Sequence, residues 1–219
     1  MKNKLNTALA ALFVATASMT ATATEVGGTY VTAGAWNVKA DLNSDITSVA
    51  GVTVDDEDTV ASFTVGYQVD ENLAVEGGVI SSGEVSVSYT GSGSGSGTYL
   101  GKAYSYSADG SVKAETDTSY TLGLKYSSPI NDKFDVYGKL GMLFWDLEYS
   151  VTGNNTFTYD GTAYSIGGVF AKDDGSDVYY GIGTSYAVTE DAAINAEFMK
   201  SEVDGADIDG LSLSVGYNF

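Results

Sequence analysis

The sequence predicts an all-β chain whose eight antiparallel strands close into an up-and-down barrel that crosses a membrane. Three observations support this. Apolar residues alternate with small or polar ones without a break through residues 211–219, which indicates a strand with one apolar face. The composition (27 Gly, 16 Tyr, one Pro and no Cys) favours strands and turns without disulfides. Short connections alternate with long ones along the chain, as they do in membrane barrels.

The closing strand has one continuous apolar face, made by Leu211, Leu213, Val215, Tyr217 and Phe219. In a membrane barrel such a face meets lipid, and the last strand pairs with the first so that no backbone N–H or C=O group is left without a hydrogen bond. The edge strand of a soluble β-sandwich is the alternative interpretation of this stretch when it is considered alone.

The first residues have the pattern of a secretory signal peptide. A short cationic opening with Lys2 and Lys4 precedes an apolar run from about Ala8 to Ala17, and residues 21–23 supply a small-x-small cleavage pattern. The run is shorter than the ~20 residues that a spanning helix needs. We therefore expect a cleaved signal peptide at 1–23 and a single barrel domain at 24–219.

The eight predicted strands follow one another in order. The first, at about 29–41, has an ambiguous facing, because Tyr30 and Trp36 compete with Val31, Ala33 and Ala35 for the outer side. The others place apolar residues outward at alternate positions, and they include 59–69, a strand starting at 73, one ending at 126, 134–149, 180–186, 194–198 and 211–219. Short turns are predicted at 70–72, 128–133 and 189–191. Longer connections are predicted at 42–58, at a flexible glycine–serine tip (91–97), around 153–155 and at 201–207.

Outward aromatic residues fall at two levels along these strands. Near the short turns are Tyr67, Tyr126, Phe134, Tyr186, Tyr217 and Phe219, and farther up are Phe63, Tyr120, Phe144, Tyr180 and Phe198. Two such levels separated by aliphatic residues are typical of the interfacial girdles of a membrane barrel. Alternation continues at 81–89, 111–119, 144–151 and 163–170, beyond the ~10 residues that a tilted strand needs to cross. We expect these segments to stand above the membrane as a small sheet.

Four charged residues share the inward face of their strands: Glu76, Lys125, Lys139 and Glu197. The lumen of an eight-stranded barrel is only wide enough for side chains to fill. Unpaired buried charges cost several kcal/mol, so we expect these four side chains to form one paired lumen charge cluster. Inward glycines such as Gly66, Gly123 and Gly183 leave room for it.

The acidic and reactive residues limit the possible functions. The formal charge is −19 with no Arg, and loss of Lys2 and Lys4 with the signal peptide leaves eight Lys against 29 acids, or −21. Such a surface repels nucleic acid. Without His or Cys, neither a Ser-His nor a Cys-His nucleophile can form, so we expect no enzyme and no cofactor. The acidic runs 55–58 and 173–177 offer oxygen ligands for Ca²⁺ but lack EF-hand spacing, which makes solvated charge without a metal the preferred interpretation.

Several strand motifs resemble the OmpA/OmpX group of small outer-membrane barrels. They are Val136–Trp145, the Leu-Ala-Val-Glu-Gly-Gly run from Leu73, Leu124-Lys125-Tyr126 before Pro129-Ile130, and the closing Leu-Ser-Leu-x-Val-x-Tyr-x-Phe run. The resemblance implies a Gram-negative outer-membrane location, and a monomer in contact with lipid and lipopolysaccharide. It also implies that Phe219 is recognised by the barrel assembly machinery. In that group, charges at positions matching Glu76, Lys125, Lys139 and Glu197 form a salt-bridge network implicated in gating. The chain ends at its last strand, so in size it resembles OmpX or a colonisation factor, and we expect it to lack the periplasmic domain of OmpA.

Two functions from different classes fit this chain. The first is a structural and surface-interaction role, in adhesion, colonisation or envelope integrity, through the protruding strands and acidic loops and with a host or cell-surface partner. The alternative is a narrow, low-conductance channel of the porin type for small solutes, gated by the lumen charge cluster. The filled lumen expected of eight strands favours the first, and the charged interior favours the second.

Overall fold

The computed structural model describes residues 25–41 and 52–219 and arranges eleven strands in one antiparallel sheet. Their bounds are β1 (Thr29–Ala40), β2 (Val52–Asp55), β3 (Glu57–Gln68), β4 (Leu73–Ile80), β5 (Gly83–Tyr99), β6 (Lys102–Thr116), β7 (Ser119–Asn131), β8 (Phe134–Tyr159), β9 (Thr162–Ala187), β10 (Ala192–Val203) and β11 (Ala206–Asn218). Within these ranges there is no helix of the length and apolarity needed to cross a bilayer. The predicted signal peptide and residues 42–51 of the predicted loop 42–58 lie outside the described residues.

Eight of the strands close into a ring in the order β1, β3, β4, β7, β8, β9, β10, β11. The ring closes because β11 pairs with β1 along its whole length, from Tyr30 opposite Asn218 to Ala40 opposite Ile208. The other seven pairings are also antiparallel. The Phe219 N–H donates to the Thr29 carbonyl at 2.9 Å, so the two ends of the ring meet on the short-turn side. The predicted eight-stranded antiparallel barrel is confirmed.

The facing of β1 is settled by its neighbours. Tyr30 and Trp36 point into the lumen, where they are only 4% and 7% exposed. Tyr30 lies opposite Gly66 of β3, and a Cβ on Gly66 would come within 2.1 Å of the Tyr30 ring. The absence of a side chain on Gly66 therefore lets the ring lie flat against the barrel wall, which sends Val31, Ala33 and Ala35 to the outside.

The outer face carries the aromatic residues expected there. Tyr67, Tyr126, Tyr186 and Tyr217 are between 44% and 59% exposed near the short turns. Farther up, Phe63, Val79, Tyr120 and Phe144 are direct cross-strand partners on β3, β4, β7 and β8. They therefore form one continuous exposed row around that side of the barrel.

A smaller sheet continues above the ring, as the alternation predicts. It contains β2, β5, β6 and the outer halves of β8 and β9, paired in that order. We call the part formed by residues 84–115 and 149–171 the protruding sheet. Its hairpins close at Leu100-Gly101 and Asp160-Gly161, where both residues have positive φ. Such two-residue turns match the twist of the flanking strands.

Four predicted loops are wrong in detail, because some or all of their residues belong to strands. In the predicted loop 42–58, residues 52–55 form β2 and β3 begins at Glu57, and the predicted turn 128–133 overlaps β7, which runs to Asn131. Gly93–Tyr99 of the glycine–serine tract pairs with Lys102–Ala108, and residues 153–155 lie within β8 beside a register shift. The predicted loop 201–207 is a hairpin with a two-residue turn at Asp204-Gly205. In the tract, a Cβ on Gly95 would lie 2.5 Å from the Tyr106 ring. A tyrosine on the neighbouring strand thus supplies the packing surface that the tract itself lacks.

The lumen is divided into two layers. The outer layer is an apolar core that includes Trp36, Val60, Leu143, Trp145 and Met199. The layer nearer the short turns contains the charged residues, with Thr32, Thr64, Ser212 and Ser214 around them. Trp145 belongs to the apolar layer, and only 7% of it is exposed.

Candidate functional site

Lys139 bridges two buried carboxylates across the lumen. Its Nζ lies 2.8 Å from Glu76 Oε2 and 3.0 Å from Glu197 Oε2. The Glu76 and Glu197 side chains are only 3% and 6% exposed, and that of Lys139 is 12% exposed. One ammonium group therefore neutralises charge from β4 and β10, which lie on different sides of the ring, and this pairing limits the cost of burying ionised groups.

The strand register places a glycine opposite each of these three residues. Glu76 lies between Gly66 and Gly123 on the neighbouring strands. Lys139 lies opposite Gly181, and Glu197 lies opposite Gly183. The absence of side chains at these positions gives the long charged side chains room to meet within a narrow lumen.

Two tyrosines complete the coordination of the carboxylates. Tyr30 donates its hydroxyl hydrogen to Glu76 Oε1 at 2.7 Å, and Tyr137 donates to Glu197 Oε2 at 3.1 Å. Each ring lies against an inward glycine, Gly66 for Tyr30 and Gly183 for Tyr137. The sequence interpretation missed both donors. Tyr137 shares the parity of Lys139 on the same strand, and this signal alone predicts an inward position.

Lys125 is placed differently from the other three predicted residues. Its Nζ lies 5.0 Å from the centre of the Tyr30 ring and 4.5 Å from that of Tyr137. Cations over an aromatic face are stabilised by the ring quadrupole. Among the described residues, no carboxylate lies within ion-pair distance of this ammonium group. The two tyrosines therefore link Lys125 to the acids, since each presents its face to the cation and its hydroxyl to a carboxylate.

The arrangement obstructs the lumen. A cavity of only about 20 Å³ remains beside Glu76, Lys139 and Glu197. A larger cavity of about 430 Å³ opens toward the short turns and reaches Lys125 and Tyr30. Above the charged residues, the apolar layer with Trp36 and Leu143 fills the barrel. A solute crossing the lumen would have to displace both layers.

The acidic runs engage the protein itself. Asp58 accepts the backbone N–H groups of Thr59 and Glu84, and Asp177 accepts the indole N–H of Trp145 at 2.8 Å. Asp56 and Glu57 lie 3.7 and 3.5 Å from Lys39, whose pKa they raise together. In the described part of the chain, no group of three or more acidic residues has the geometry to hold a metal ion.

Comparisons with known proteins agree with this architecture. The family model of the outer membrane protein β-barrel domain matches residues 7–219. The crystal structure of Ail, the attachment invasion locus protein of Yersinia pestis, is 14% identical, with 89% of this chain and 100% of that chain covered and a TM-score of 0.50. OprG from Pseudomonas aeruginosa is 16% identical, with 92% and 98% covered and a TM-score of 0.51. No curated protein matches the chain significantly.

Proposed function

The chain belongs to the family of outer membrane protein β-barrel domains, and from this premise we propose that it is a surface-interaction protein that binds a cell-surface partner through its protruding sheet. The barrel anchors this sheet in the Gram-negative outer membrane. The likeness to Ail, named as an attachment protein, concerns the fold, so the proposal rests on features of the protruding sheet itself.

The open edge of β9 carries the proposal. Residues 162–179, which precede the part of β9 that pairs with β10, pair only with β8. Among the described residues, no strand covers their other side. Residues 162–171 contain no charged residue and no Pro, although native edge strands are commonly protected by charges or Pro. This uncharged outer part of the edge, as distinct from residues 172–177 with their four charges, is suited to pairing with an extended segment of a partner.

An aromatic row beside this edge would add side-chain contacts. Tyr106, Phe157 and Tyr164 are direct cross-strand partners on β6, β8 and β9. They are 46%, 37% and 53% exposed. Exposed aromatic rings next to a pairing edge favour a protein partner, because tyrosine and phenylalanine supply large contact areas at low entropic cost.

The channel alternative has less support. The charged layer is the feature that favours it, and the apolar layer above would still close the lumen if the charges rearranged. We therefore assign the charge cluster a structural role as a plug, with gating as the alternative that conductance measurements test.

The experiment places charge on the edge. Ala163→Lys with Ala171→Lys adds two positive charges to the exposed edge of β9. Ala103→Lys with Ser105→Lys adds the same charge on β6, which is paired on both sides. Both variants and the parent are displayed on a non-adherent Gram-negative strain, and bacteria bound to cultured epithelial cells are counted after surface levels are matched.

We expect the edge variant to lose about tenfold or more in binding, since each ~1.4 kcal/mol of lost interaction is tenfold, and the β6 variant to keep most of it. Equal losses would indicate a general charge effect and would count against edge pairing. No binding by the parent protein would overturn the adhesive role.

A further inference from the structure

An apolar cup opens at the outer mouth of the barrel, directly above the apolar layer of the lumen. Its volume is about 210 Å³. The floor consists of the buried side chains of Val60, Leu143, Leu147 and Met199. The wall consists of partly buried aliphatic residues that pack against this floor, among them Val38, Ile80, Ala114 and Ile208.

The base of the protruding sheet forms one side of the cup. Val85, Ala114 and Tyr149 are cross-strand partners on β5, β6 and β8, and all three line the cup. The opposite side comes from β1 and β11, through Val38 and Ile208. The cup therefore lies between the mouth of the ring and the base of β5 and β6, which are not part of the ring.

The polar groups at the rim of the cup are already paired within the protein, including Lys39, whose Nζ lies 3.7 Å from Asp56 and 3.5 Å from Glu57. Asp58 accepts two backbone N–H groups, at 2.7 and 2.9 Å. Glu84 is paired with Lys113 at 2.7 Å, and the Tyr149 hydroxyl donates to Asp204. The Thr116 hydroxyl oxygen accepts the Gly83 N–H at 3.1 Å. A polar ligand would lose its water without gaining a free partner at these groups, which costs free energy.

We propose that this cup binds a small neutral apolar molecule about the size of a single hydrocarbon ring. An apolar cavity of about 150 Å³ is sufficient for benzene, so 210 Å³ accommodates a substituted ring. The packed floor separates the cup from the lumen below it, so the cup is a closed-ended binding site and not a passage through the barrel. The site is separate from the lumen charge cluster and from the open edge of β9.

The test is a titration with toluene of the full-length protein in phosphatidylcholine nanodiscs, followed by methyl NMR. The methyl groups of Val60, Ile80 and Ile208 report on the cup. Those of Leu122, Ile182 and Leu213 are more than half exposed on the outer face and report on toluene dissolved in the lipid. We expect the cup signals to shift and saturate while the outer signals change in proportion to added toluene. Cup signals that follow the same unsaturating course would overturn the proposal.

Two controls, a pair of variants and a charged probe, test whether the saturating shift comes from the cup. Ala114→Leu should fill the cup and remove the saturating shift, whereas Ala103→Leu, exposed on the same strand, should keep it. Benzoate, a charged probe of similar size, should bind at least about tenfold more weakly than toluene, because burying its carboxylate without a partner costs more than 1.4 kcal/mol. Equal saturation by benzoate, or an undiminished shift in Ala114→Leu, would contradict the assigned site.

Discussion

Tyr30 donates its hydroxyl hydrogen to the carboxylate of Glu76 across 2.7 Å, although the two residues are 46 positions apart in the chain. The bond links β1 to β4 over the top of Gly66, which lies between them in the register. Both side chains are buried in the lumen. A hydrogen bond to a buried charge contributes more than one between neutral groups, so this contact stabilises the closed ring on the side where the chain begins.

Tyr30→Phe should therefore destabilise the barrel. The change removes the hydroxyl and keeps the ring, and the loss of a hydrogen bond to a charged group costs about 1.5–3 kcal/mol. Tyr126→Phe is the matched control, because Tyr126 is 59% exposed on the outer face. Urea unfolding from lipid vesicles gives the free energy of unfolding of both variants. Equal values would show that the hydrogen bond from Tyr30 to Glu76 does not stabilise the barrel.

Removal of Lys139 should cost more, because two acids would share an uncompensated charge. We expect Lys139→Ala to lower the free energy of unfolding by about 3 kcal/mol. The double change Glu76→Gln with Lys139→Gln should cost less than the sum of the single changes, since neighbouring residues couple. The same urea unfolding assay gives all four stabilities. Strict additivity would show that the 2.8 Å contact carries no net interaction.

Gly66→Ala tests whether the ring of Tyr30 requires a residue without a side chain opposite it. The new Cβ would lie 2.1 to 2.5 Å from three atoms of that ring, and overpacking of this kind costs about 1–3 kcal/mol. Gly77→Ala, on the adjacent strand β4, is the control, because its Cβ would meet nothing closer than 3.9 Å. We expect the control to be neutral or slightly stabilising. A Gly66→Ala protein as stable as the Gly77→Ala protein would mean that Tyr30 can readily leave its position.

The ring of eight strands should fold without the protruding sheet. Gly83 lies opposite Thr116, and Glu148 lies opposite Lys172. Excision of residues 84–115 and 149–171 therefore joins residues that are already neighbours. The shortened protein should insert into lipid and keep the heat-modifiable gel migration typical of closed barrels. It should also lose cell binding. A shortened protein that bound cells as well as the parent would place the adhesive surface elsewhere.

The lumen should remain closed to ions even without its ion pairs. We expect no stepwise conductance in planar bilayers from either the parent or Glu76→Gln with Lys139→Gln, because the apolar layer with Trp36 and Leu143 is unchanged. A variant in which Trp36→Ala is added should conduct more readily than either. Regular conductance steps from the parent protein would instead favour the channel function.

The sequence alone determined the barrel and the inward face of its charged residues. Both follow from the two-residue period of a strand, which is a local property: Glu76 and Lys139 alternate with lipid-facing residues whatever their partners are. The same rule explains why β1 stayed ambiguous. Tyr30 and Trp36 are as suitable for a membrane interface as for a lumen, and only Gly66 opposite Tyr30 decided between them.

Tertiary structure decided which of the four charged residues pair. Lys125 and Lys139 have the same parity and face each other on β7 and β8, so no sequence pattern distinguishes their roles. The stagger of the closed ring brought Glu197 of β10 within 3.0 Å of Lys139 and left Lys125 over two tyrosine rings. In the same way, the glycine–serine tract has no side-chain pattern of its own, and it became a strand because Tyr104 and Tyr106 of β6 pack on its glycines. Contacts between strands depend on register and, for the charged residues, on ring closure, which no local pattern encodes.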